Sequence, residues 1–145
     1  MATPSSARRL PAPGDVLTYA FLWSHERDAG RLDAQKERPC VVVLAVGEGD
    51  HPHVTVAPIT SRRPDRPGAI ALPPHAALGL TRPSWIVPWE LNRFRWIGPD
   101  VRPAQRPAGA WWRVGVLAPH LRRELRERVQ AALLARSARL SPRTE

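Results

Sequence analysis

"KERPCVVVLAV", residues 36–46, sets a charged segment and a proline directly against seven residues that carry no charge. An apolar run of roughly four to eight residues, rich in β-branched side chains, predicts a strand buried on both faces. Arg38 stands at its mouth. Upstream, "DVLTYAFLW" (15–23) is similarly rich in β-branched, aromatic and aliphatic residues, and downstream "HVTVAPIT" (53–60) alternates apolar and polar positions, so three strands are expected. The turn-like "GEGDHP" makes a hairpin of the second and third. The first and second are separated by "SHERDAGRLDAQKERP", a long polar loop of the kind that in compact domains is functional or mobile.

Further along, "AIALP" predicts a short strand and "PHAALGL" a helical turn, while Pro88 demotes the strand "SWIVPWEL" to an edge or a bulge. "NRFRWIG" alternates again, "PDVRPAQRPAG" is a proline-rich surface loop, and "AWWRVGVL" is a last strand or a packed extended segment. From Pro119 to about Ala138, Leu121, Leu125, Val129, Leu133 and Leu134 recur at three- and four-residue spacing opposite arginines and glutamates. That pattern is an amphipathic helix, and its proline start suits a first turn. The fold class is therefore mainly β with a C-terminal helix, a small barrel or half-open sheet capped by that helix. Residues 1–13 are expected as a flexible arm, 14–138 as a single domain and 139–145 as a flexible tail.

A length of 145 residues suits one core. No apolar stretch is long enough to span a bilayer and the N-terminus lacks the apolar centre of a secretory signal, so a soluble cytoplasmic protein without membrane contact is expected. Cys40, the sole cysteine, cannot form an intramolecular disulfide and reads as a small core residue. The formal charge is +9 and every basic residue but Lys36 is arginine, which favours a polyanion partner. A composition biased towards arginine, alanine and proline produces part of that charge by itself.

Five histidines form no acid–base pair legible in the sequence. His51 and His53 share a strand face but lack a third ligand, so neither a metal nor a cofactor is expected. His75 belongs to a turn and His120 to the first helical turn. His25, beside Glu26 in the long loop, can face a substrate. The hydrolase signature Gly-x-Ser-x-Gly and a glycine-rich phosphate loop are both absent. What remains is "PITSRRP", which ends the third strand with Thr60 and Ser61 directly before Arg62 and Arg63. In a hairpin the end of the third strand lies beside the start of the second, so Arg38 and Thr60 meet at one sheet edge. A guanidinium, a hydroxyl and further arginines suit a phosphate, although the same residues also suit a polar strand exit. Among the tryptophans, Trp85 and Trp89 read as core, while Trp23, Trp111 and Trp112, near loops, are placed to stack on bases.

Taken in order, "PGDV" opening a strand, a polar loop ending in "RP" before valines, a "PITS" strand exit, "SWIVPWELNRF" and a final helix resemble the MazF/PemK family of toxin–antitoxin ribonucleases over about residues 12–135. The resemblance is to the PemK-like branch. It implies an SH3-like barrel, a two-fold homodimer, a cognate antitoxin, and cleavage of single-stranded RNA without metal. It makes Arg38 and Thr60 the catalytic pair, with Ser61, Arg62, Gln35, Glu26 and His25 along the substrate groove. Attack of the ribose 2′-hydroxyl on the adjacent phosphate would be aided by charge neutralisation from Arg38 and a hydrogen bond from Thr60. The chain departs from the family in "DAQKERP", where Gln35 is shifted and no glycine lies between it and Arg38, and in the length of the first loop. A non-catalytic barrel of the same fold, binding nucleic acid or a protein as a gyrase-poisoning relative does, is the alternative.

Overall fold

The computed structural model describes residues 10–31, 36–47 and 52–143. Gln35, His51 and the arm up to residue 9 lie outside them. In chain order the described elements are β1 (Asp15–Ala20), α1 (Ser24–Asp28), β2 (Glu37–Val46), β3 (His53–Thr60), β4 (Ile70–Leu72), a 3-10 turn (Ala76–Leu78), β5 (Ser84–Ile86), β6 (Glu90–Arg95), β7 (Val101–Arg102), β8 (Arg113–Val116), α2 (Pro119–Leu134) and β9 (Arg139–Pro142). The strands run in the order β4-β5-β3-β2-β1-β7, with β6 also on β3, β8 on β1 and β9 on β6. Pairings are antiparallel except β6 with β9. The result is the expected mainly-β, barrel-like fold with one C-terminal helix.

The valine run of β2 is continuous because the sheet is covered on both sides. Val41 packs with Ile59, Leu91 and the α2 residues Leu125 and Val129, whereas Cys40 and Val42 face a second cluster built on Tyr19, Phe94 and Trp112. A register shift between Val42 and Leu44 ends this arrangement. Beyond it Leu44 and Val46 are 52% and 55% exposed, so only the first half of the run is core. The "GD" at the strand entry has a backbone reason. Gly14 adopts φ +97°, where a side chain would be strained and would also run into Arg122. Its N–H donates to the Val42 carbonyl at 2.8 Å and its carbonyl accepts from Leu117 at 2.8 Å, tying β1 to β2 and to the approach to α2. Asp15, buried next to it, accepts from the Ala12 N–H at 2.9 Å and pairs with Arg113 at 3.3 Å.

Pro88 does mark a break. Ile59 and Thr60 of β3 pair with β5, while His53 to Val56 pair with β6, so one chain segment follows β3 with an interruption around the proline. Other expectations fail. Within the expected tail, Arg139–Pro142 form β9, which lies parallel to β6, and the Arg143 side chain is 4% exposed, while residues 144 and 145 lie outside the described residues. Order begins before Gly14, because Leu10 packs against the aromatic cluster. Helix α2 stops at Leu134 rather than near Ala138. The long polar loop contains α1, the proline-rich loop contains β7, and Trp112 is fully buried and cannot stack on a ligand.

Candidate active site

The antiparallel register of β2 on β3 reaches Cys40 opposite Pro58, with Arg38 two residues before Cys40 on β2 and Thr60 two residues after Pro58 on β3. Both line an open groove of about 680 Å³ at that end of the sheet. His25, Glu26, Ser61 and Arg62 line it as well, so every expected site residue that the structure describes falls in one place. Arg63 and Lys36 add two further cations.

Arg38 is half-buried, and its guanidinium carbon stands 5.0 Å from the centroid of the Trp23 ring, within cation–π range. Its Nε is enclosed without an acceptor among the described residues. Burial lowers the guanidinium below its ordinary pKa, while Cys40 and Glu26 act in the opposite direction. The cation is thus incompletely solvated by the protein and faces a groove wide enough for a phosphate. Thr60 Oγ1 accepts the Arg62 N–H at 3.1 Å, which occupies a lone pair and leaves the hydroxyl proton free to be donated. Hydroxyl and strand exit are locked together by this local bond.

The opposite wall comes from α1. The Glu26 carboxylate accepts the Trp23 N–H at 3.0 Å and so fixes the first turn of the helix. His25 stacks on Trp23 with ring centroids 6.3 Å apart. Behind this wall stands a pair the sequence analysis missed. Glu90 accepts from the Ser24 N–H at 2.8 Å and from the Ser24 hydroxyl at 2.5 Å. Asn92, wholly buried, accepts the Leu22 N–H at 2.9 Å and donates to the Leu22 carbonyl at 2.8 Å. Two polar residues spaced two apart share one strand face. A carboxylate and an amide in a strand beside Leu91 and Phe94, which pack in the two cores, are the signal that could have revealed them. Trp89, expected in the core, is only partly buried and lines the groove, with the Arg66 guanidinium 4.4 Å from its ring centroid.

Among the described residues no group of three or more histidine, cysteine, aspartate or glutamate side chains is gathered as a metal site. The sequence model for PemK-like, MazF-like toxins of type II toxin–antitoxin systems matches residues 12–94. The chain belongs to that family. As a PemK-like toxin it implies a cognate antitoxin as its partner. The matched segment carries Arg38, Thr60, Glu90 and Asn92, whereas α2 and β9 lie beyond it. A search of curated proteins gave no match. No described helix is long and apolar enough to cross a membrane.

Proposed function

We propose that this PemK-like toxin is a metal-independent endoribonuclease that cuts single-stranded RNA in the groove between α1 and the β3 exit, and thereby inhibits growth. The observation that supports the reading is one open groove lined by both a partly desolvated arginine and a threonine hydroxyl. A ribose 2′-hydroxyl attacks the adjacent phosphorus, and the bond to the 5′-oxygen breaks, leaving a 2′,3′-cyclic phosphate and a 5′-hydroxyl. Negative charge grows on the non-bridging oxygens during this step. Arg38 neutralises it and Thr60 donates to one of those oxygens, both pre-positioned and partly shielded from water. A guanidinium with a lowered pKa is also a better proton donor to the leaving oxygen. Glu26 and His25 are the candidates for accepting the 2′-hydroxyl proton. Ser61, Arg62 and Gln35 complete the substrate-binding set, and Trp89, which lines the groove, is the candidate for stacking on an unstacked base.

The homodimer and the antitoxin belong to the same reading. Leu44 and Leu133, each about half exposed, line a common groove between β2 and α2 and supply apolar surface for association. Incubating the pure protein with mixed-sequence RNA in chelator, and mapping the ends, is the test. Cleavage at single-stranded sites to cyclic phosphate ends, with matched DNA intact, is the expected result. Intact RNA with measurable binding would overturn it in favour of a non-catalytic barrel.

A further inference from the structure

The residues that follow α2 pack against α1, the small helix that forms one wall of the groove. Arg27 donates to the Leu140 carbonyl at 2.7 Å, and Arg139 donates to the Asp28 carboxylate at 2.7 Å. Arg139 holds the Asp28 carboxyl below its ordinary value, chiefly through this hydrogen bond. The four side chains of the helix beyond Ser24 divide by direction: His25 and Glu26 line the groove, whereas Arg27 and Asp28 bind β9.

The strand is itself firmly seated. The Arg139 N–H donates to the Trp89 carbonyl at 2.7 Å and the Arg143 N–H to the Arg93 carbonyl at 2.9 Å, while Ser141 is wholly buried. The Arg143 guanidinium reaches the Ala20 carbonyl at 2.6 Å, Asn92 Oδ1 at 3.2 Å and Asp100 at 2.8 Å. Asn92 in turn grips Leu22, so the segment Leu22–Asp28 is held from β6 at its start and from β9 at its end. The contacts run on to Trp23, whose ring carries Arg38.

From this geometry we infer that β9 is a latch that positions α1, and through Trp23 the Arg38 guanidinium, for RNA, with Arg27 and Arg139 as positioning residues. The inference rests on the nuclease reading for its consequence and on the contacts between β9 and α1 for the latch. An untethered five-residue helix is far below the length that is stable alone in water, so α1 depends on such tethers.

Charge exchange tests it without touching the groove. Arg139→Asp, Arg27→Ala, Asp28→Arg and the double variant Arg139→Asp/Asp28→Arg are compared with the wild-type chain by amide hydrogen exchange and by binding and cleavage of a fluorescein-labelled mixed-sequence RNA. Faster exchange confined to residues 24–31 is expected in the single variants, with the strands of both cores unchanged. Binding and kcat/KM should fall about threefold to fivefold, the upper range for an exposed pair, and the double variant should recover most of the loss. Unaltered exchange in α1 would overturn the latch. Loosened α1 with wild-type binding would overturn its role in positioning. If the wild type binds RNA but never cuts it, weaker binding by the single variants still supports the latch while the nuclease reading fails.

Discussion

Arg38 and Cys40 are two residues apart on β2, yet the sheet treats them in opposite ways. Cys40 is fully enclosed, and burial pushes its thiol well above the ordinary range, so the reactive thiolate is suppressed. The expected outcome is that a thiol reagent leaves Cys40 unmodified in the native protein and labels it only in denaturant; rapid native labelling, followed by mass spectrometry, would contradict the packing. Arg38 is half-buried, stacked on Trp23 and open to the groove, so the same desolvation acts on a group that a phosphate can reach. The solvated loop end that its flanking charges describe is replaced by a wall residue. The Thr60 hydroxyl is held by a short-range bond, accepting from the Arg62 N–H at 3.1 Å and keeping its own proton available to donate.

At the scale of elements, the strongest constraint on the site comes from β6. Asn92 pairs both polar groups of Leu22 across 70 residues of sequence. Its replacement by alanine strands buried backbone groups, and a loss of about 1–3 kcal/mol is expected for an unsatisfied buried partner. Urea unfolding measures this directly, and an unchanged midpoint would show that water meets those groups instead. What was legible in the sequence follows the same division. The alternation of β3, the valine run of β2 and the spacing of Leu125 and Val129 are local patterns, and they yielded the sheet, the hairpin and the capping helix. That Arg38 and Thr60 line one groove was expected from hairpin geometry alone. By contrast, α1 and β9 are short and polar, with little pattern of their own, and are fixed by distant partners such as Glu90, Trp89 and Arg93. Trp89 and Trp112 exchanged expected places because proximity to a loop in sequence does not determine which side of a sheet a ring faces.

Across the whole molecule, the charge of +9 overstates what is available to a polyanion. Arg113 is bound to Asp15, Arg143 to Asp100, Arg128 to Glu124 and the Gly68 carbonyl, and Arg102 to Glu37. These arginines are engaged within the fold, and much of the proposed attraction for RNA falls to Lys36, Arg38, Arg62 and Arg63 around the groove. The fold thus commits several of its cations to internal pairs and sets a few more where β2 begins and β3 ends. The most direct measurement is RNA cleavage by Arg38→Ala, made alongside the wild-type chain with unfolding curves for both. A fall in kcat of roughly a hundredfold to a thousandfold is expected, the range for losing one preorganised charge-stabilising group, with the unfolding midpoint nearly unchanged. Cleavage at the wild-type rate in a folded Arg38→Ala protein would contradict the account.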